Sequence, residues 1–281
     1  MSRPSFAIST HLYHDAPLGR DHLVEIAVHG FDAVELFANR PHLACDDAAI
    51  PTIEEAVRDS GLRVHSVHAP IAEALRGGRW TAPFSIASGD QAARGRAVSE
   101  VLASLEMAQR LEAGFLVVHV GVPDDQRGSP DDNREDAARR SLEELHAAAA
   151  PSGVRLALEV MPNRLSGAER LVASIEDELD LDGAGICLDF GHAHLAGDVV
   201  DAVEAVSGYL LTTHVHDNGG RTDEHLLPFD GSIPWEAVLM ALQKVGYDGT
   251  YVFELAGSST PRAVLERAQR VRTRFEALLT S

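Results

Sequence analysis

The chain has 281 residues, 45% of them hydrophobic, enough for one large domain with a sizeable core. Its net charge of −19 sets the surface against nucleic acid, whose binding rests largely on Lys and Arg at phosphates. No run of about 20 apolar residues occurs, which excludes an apolar helix spanning a membrane.

The opening Met1-Ser2-Arg3-Pro4-Ser5 lacks the apolar stretch of a signal peptide, so a cytoplasmic location is expected. From there, short β-rich runs alternate with helical patterns. Strands are predicted near Phe6–Ser9, Ala33–Leu36, Arg63–His68, Phe115–His119, Arg155–Glu159, Gly185–Asp189, Leu210–His216 and Tyr251–Glu254. Most are continuous apolar runs, as parallel strands covered on both faces require. Helical stretches follow near 20–29, 48–60, 90–113, 132–150, 168–178, 198–208, 234–245 and 261–279. Gly30, Gly61, Gly114, Gly153 and Gly246 fall where helices should end, and Ser129-Pro130-Asp131 and Thr260-Pro261 read as helix starts. Eight β/α units in a row predict an α/β chain with a single (β/α)8 TIM barrel over residues 1–281. An open doubly wound sheet is the alternative, but no G-x-G-x-x-G turn follows the first strand. Two long loops, 70–90 and 121–131, should lie over the barrel mouth, and Trp80 is expected to touch substrate there.

Two scarce residue types narrow the chemistry. Lysine occurs once, as Lys244 in a predicted helix, which disfavours a Schiff-base aldolase. The two cysteines, Cys45 and Cys187, lack zinc-site spacing and make no disulfide framework.

The strand ends carry the strongest signal. The runs Val64–His68, Leu116–His119, Leu156–Glu159, Ile186–Asp189, Leu211–His214 and Val252–Glu254 each close on a residue able to hold a metal. A parallel barrel gathers those ends around one mouth. A carboxylate closing an apolar strand, as Glu159 does, is costly unless paired or metal-bound. Asp189 and His192 sit three apart across a turn, and His214 and His216 share a strand face, so only one of the pair need be a ligand. A set of Glu159, Asp189, His214 and Glu254 is oxygen-rich with one nitrogen, which suits Mn²⁺, Mg²⁺, Co²⁺ or Zn²⁺.

In these segments the chain resembles the xylose isomerase-like TIM-barrel superfamily. The likeness is carried by Leu156-Ala157-Leu158-Glu159, Cys187-Leu188-Asp189-Phe190-Gly191-His192, His214-Val215-His216-Asp217-Asn218, Asp223-Glu224-His225, and Gly246-Tyr247-Asp248-Gly249 leading to Glu254. That superfamily includes sugar and sugar-phosphate isomerases and epimerases, and apurinic endonucleases of the endonuclease IV type. In the first branch the resemblance implies one divalent metal on Glu159, Asp189, His214 and Glu254. Glu159 and Glu254 would double as acid and base on opposite faces of a carbon beside a carbonyl, through a metal-stabilised enediolate. Dehydratase or lyase chemistry shares that step. In the second branch it implies a three-zinc cluster that adds His68, His119, His192, Asp223 and His225, with phosphodiester hydrolysis. One to three ions of Zn, Mn, Co or Mg are therefore expected. A barrel whose metal is purely structural is the non-enzymatic reading.

The acidic charge and the absence of basic DNA-tracking loops favour a small carbohydrate over nucleic acid. Leu226–Trp235 also resembles the loop before the seventh helix in the sugar branch. Arg221 with Gly219-Gly220, and Gly257-Ser258-Ser259-Thr260, are expected to bind phosphate or sugar hydroxyls, simple turn chemistry being the alternative. His11 and His14 should line the mouth, and His216, with His65 and His194, should contact ligands or substrate. His22, His29, His42 and His146 are expected at the surface. Barrels of this kind often pair, so a homo-oligomer is compatible with the chain.

Overall fold

A computed structural model describes residues 4–126, 128–179, 181–256 and 260–280, without the side chains of residues 177 and 178. Eight parallel strands close a barrel: β1 (Ser5–Ser9), β2 (Ala33–Phe37), β3 (Arg63–His68), β4 (Phe115–His119), β5 (Arg155–Glu159), β6 (Gly185–Asp189), β7 (Leu210–Val215) and β8 (Thr250–Phe253). Each pairs with its neighbours in sequence, and β8 closes back on β1. The open-sheet alternative is thereby excluded.

Nine helices among the described residues form the outer layer. They are α1 (Arg20–Val28), α2 (Ile50–Ser60), α3 (Gln91–Arg110), α4 (Glu135–Ala149), α5 (Ala168–Ala173), α6 (Phe190–Ala196), α7 (Val199–Val206), α8 (Trp235–Val245) and α9 (Pro261–Thr280). α5 widens into a π-turn over Ser174–Glu178. α9 buries Val264, Leu265, Ala268, Phe275 and Leu279, a stripe at helical spacing that packs on the sheet.

Alternation along the strands separates two cores. Outward residues such as Ile8, Leu36, Leu116, Leu158 and Leu188 join the helices in one large cluster. Small inward residues (Ala7, Ala33 and Val252; Val117, Ala157 and Cys187) form two separate clusters in the bore. Register shifts between Val34 and Glu35, and between Ile186 and Cys187, bend two strands just below the mouth.

Helix ends differ from expectation in two places. α3 leaves through Glu112 at φ 52, not through Gly114. α4 begins at Glu135, because Ser129 and Asp132 close a turn of their own, with the Ser129 amide donating to Asp132 Oδ2 at 2.6 Å. Within the 70–90 loop, Leu75–Arg76 and Arg79–Trp80 form a hairpin across Gly77 and Gly78, at φ 57 and 73, as a tight hairpin turn demands. No described helix is long and apolar enough to cross a membrane.

Candidate metal centre

Strand register brings the ligand candidates together. His119 lies opposite Glu159 on the β4–β5 ladder, and Asp189 opposite His214 on β6–β7. One ligand atom each from Glu159, Asp189, His214 and Glu254 lie within 4.8 Å of one another, and all four residues are buried. At the centre, His214 Nδ1 stands 3.5 Å from a Glu159 oxygen, 3.7 Å from Asp189 and 3.5 Å from Glu254.

The other five candidates surround this group. His68 and His119 both reach Glu159 Oε2, at 3.1 and 3.0 Å. His192 Nδ1 is 3.2 Å from Glu159 Oε1, and its Nε2 is 3.2 Å from Asp223. Asp223 also meets His225 Nε2 at 3.1 Å. Asp189 both ends β6 and caps α6, accepting from the His192 amide at 2.7 Å, so one carboxylate fixes the next ligand candidate in the chain. All nine candidates therefore converge on the mouth.

Two residues outside that set shape it. Glu35, in the middle of β2, is fully buried, and its Oε2 accepts from Ser66 Oγ at 2.7 Å and His214 Nε2 at 3.1 Å. Glu35 is not among the expected site residues; its signal in the sequence is a carboxylate inside an otherwise apolar strand. Asp217 follows β7 and accepts from the amides of Asn218, Ile233 and Phe229 and from Trp235 Nε1. It ties down both ends of the loop that carries Asp223 and His225. Within that loop His225 has φ 47 and Phe229 φ 75, left-handed positions that cost backbone strain.

The donor set suits a cation. Among the described residues, Glu159 Oε1, His214 Nδ1 and His216 Nδ1 are buried without a hydrogen-bond partner. A buried carboxylate oxygen and imidazole nitrogen left unpaired at one point are the groups a divalent ion would satisfy. The charges agree. Burial works against an ionised Glu159, but the His119 and His214 charges outweigh it and hold the carboxyl well below its ordinary range. Asp189 is lowered in the same way by His192 and His216. Burial likewise opposes charge on His214, yet its pKa lies well above the usual imidazole value. The adjacent Cys187 thiol is pushed up by burial and stays neutral, so the carboxylates around His214 are the cause. Burial also opposes His225, which Asp223 nonetheless pushes up to about 10. In the metal-free site, imidazolium groups thus occupy the place of a cation.

A cavity of about 470 Å³ opens above these residues. Trp80, half-buried, lines it beside His14 and Phe37, with ring centroids 5.7 and 5.8 Å away. Val122, Pro123 and Gln126 of the second long loop line the other side. No described lining residue is Lys or Arg.

Several sequence expectations require correction. His216 is fully buried with its Nε2 on the ligand candidate Asp189 at 2.9 Å and stacks behind His225, so it does not line the cavity where substrate contact was expected. His65 bonds Thr212 deeper in the barrel, and His194 bonds Ser232 at the rim. Arg221 is exposed and outside the cavity lining. The Gly219 and Gly220 amides already donate to Glu224 and Asn218, leaving no nest for an anion. Gly257, Ser258 and Ser259 lie outside the described residues. His42, expected at the surface, is buried and donates to the Ala16 carbonyl.

A family model described as a xylose isomerase-like TIM barrel matches residues 23–277. The chain belongs to that family. Its relatives include an uncharacterized protein of Sinorhizobium fredii, 29% identical over 258 residues, or 84% of this chain and 81% of the relative. A protein named probable endonuclease 4 of Mycobacterium leprae is 26% identical over 246 residues, 80% of this chain and 86% of that one. Among solved structures, a D-tagatose 3-epimerase-like protein superposes with a TM-score of 0.80 at 25% identity, covering 98% of each chain.

Proposed function

We propose that the protein is a divalent-metal-dependent sugar isomerase or epimerase that moves a proton beside a carbonyl, with Glu159 and Glu254 as acid and base. The observation that carries this is the inner cluster. Two glutamates stand with Asp189 and His214 around one unpaired imidazole nitrogen, at the floor of a cavity sized for a small molecule. Glu159, Asp189, His214 and Glu254 would hold the ion, which would supply a Lewis acid for the carbonyl and hydroxyl oxygens of the sugar. The chain's own residues do the rest. Glu159, kept ionised by its imidazole neighbours, is ready to take a proton. The aromatic wall of Trp80 and Phe37 offers an apolar face to sugar C–H groups. A lining without Lys or Arg among the described residues favours an uncharged sugar over a phosphorylated one. The 25% identical solved relative named as D-tagatose 3-epimerase-like is consistent with a ketose substrate.

A second reading has its own observation. His68, His119 and Glu159 form a further ligand group, and His192, Asp223 and His225 meet on the far side. That arrangement would seat outer ions for a multinuclear zinc phosphoesterase, and the Mycobacterium leprae relative is named a probable endonuclease. Metal analysis and two assays separate the readings. One Mn²⁺ or Co²⁺ per chain with conversion of a ketose to its epimer or aldose isomer supports the first. Three Zn²⁺ with cleavage of an abasic-site duplex sinks it.

A further inference from the structure

The inner ligand His214 is held from behind. Its Nε2 lies 3.1 Å from Glu35 Oε2, and that oxygen also takes the Ser66 hydroxyl. A carboxylate can only accept, so Nε2 is the nitrogen that keeps its proton, and Nδ1 is the one that must give up its proton and offer a lone pair when an ion binds. Nδ1 is the atom that faces Glu159, Asp189 and Glu254. The ring plane is fixed as well, since His68 stacks on it at 5.5 Å with planes 16° apart. The register shift at Val34/Glu35, which leaves His65 of β3 as the extra residue, brings Ser66 opposite Glu35, where its hydroxyl holds the carboxylate.

Glu35 is poorly explained as a stabilising ion pair. It is fully buried, and its Oε1 has no hydrogen-bond partner among the described residues. Buried charges in that state add little to stability, because desolvation offsets the attraction. A partner that orients a metal-binding imidazole and raises its basicity accounts for the arrangement.

We propose that Glu35 is the positioning residue of the metal centre, setting the His214 tautomer and ring plane so that Nδ1 is presented to a divalent ion. The inference rests on the metal reading above and extends it to a residue outside the ligand set. Its test is Mn²⁺ binding to the metal-free full-length protein, read by electron paramagnetic resonance, in wild type and Glu35→Gln. Glu35→Gln should bind about 10–100-fold more weakly while its metal-free melting temperature stays close to wild type. A purely structural role gives the reverse, lower melting with unchanged affinity, and overturns the proposal. Should Glu35→Gln fail to fold, wild-type protein labelled with ¹⁵N-histidine and loaded with ¹¹³Cd²⁺ still decides. Cadmium coupling to His214 Nδ1, with a proton retained on Nε2, supports the proposal; coupling to Nε2 overturns it. If wild type binds no divalent ion, the metal reading falls along with this one. If wild type binds and a folded Glu35→Gln binds equally well, only the role of Glu35 falls.

Discussion

Asp217 gives the sharpest stability prediction. It is fully buried and accepts four hydrogen bonds, from Asn218 N at 2.9 Å, Ile233 N at 3.1 Å, Phe229 N at 2.9 Å and Trp235 Nε1 at 2.8 Å. Gly231 packs so closely that a Cβ there would lie 2.3 Å from Asp217 Oδ1, so water has little room to substitute. Asp217→Asn keeps the shape but replaces one oxygen by an NH₂. That group must face two donors, whichever way the amide is turned. Each unmatched buried donor costs about 1–3 kcal/mol, so a loss of roughly 2–6 kcal/mol is expected for the two. Asp217→Ala strands all four donors and should cost more, about 4 kcal/mol or above. Urea unfolding followed by tryptophan fluorescence measures both, since Trp235 reports directly. The local effect should exceed the global one, because the 218–234 loop loses its tether and takes Asp223 and His225 with it. Hydrogen exchange should therefore quicken in that loop before it quickens in β7. An Asp217→Asn protein within 1 kcal/mol of wild type, with unchanged loop protection, would refute the reasoning.

Three further outcomes follow from the same geometry. A Cβ on Gly191 would fall 1.9 Å from His216 Cε1, so Gly191→Ala should cost about 2–3 kcal/mol in urea unfolding. His216→Ser should relieve most of that cost in the double variant, and additive losses would contradict the contact. His42, which burial lowers to about 4 from an ordinary 6.5, is neutral in the fold. Its contribution is complete above pH 6.5 and is lost as pH falls toward 4, where the unfolded chain takes the proton first, for a total near 3 kcal/mol. Stability curves of wild type and His42→Asn should therefore diverge in slope by up to about 1.4 kcal/mol per pH unit across that window, and parallel curves would dismiss the idea. Because the His214 pKa lies well above its usual value, a divalent ion taking its Nδ1 should expel about one proton at neutral pH. Calorimetry in buffers of different ionisation enthalpy reads this, and heats independent of buffer would count against it.

The barrel and the convergence of its ligand candidates were legible because both are written in local pattern. Apolar strand runs such as Ile186-Cys187-Leu188 end abruptly on Asp189, and the parallel barrel turns that one-dimensional rule into a shared mouth. What escaped depends on contacts across the fold. Glu35 is separated from His214 by most of the chain, and only barrel closure brings them together. Asp217 stands in a run of polar residues that looks like ligand chemistry, whereas its partners at Phe229, Ile233 and Trp235 show it to be a loop anchor. The glycines before Arg221 promised an anion nest, but acceptors within the same loop already take their amides. His42 could not be placed inside from sequence because its partner is the Ala16 carbonyl, a group every residue carries.

Proton transfer beside the sugar carbonyl is the central claim, and solvent isotope incorporation tests it most directly. Metal-loaded protein in D₂O with a panel of unphosphorylated ketoses should yield product carrying deuterium at the carbon next to the carbonyl. Chelator should abolish that signal, and Glu254→Gln should remove it while still binding the ion. No deuterium in any ketose or aldose of a broad panel, with the metal shown to be bound, would contradict the account.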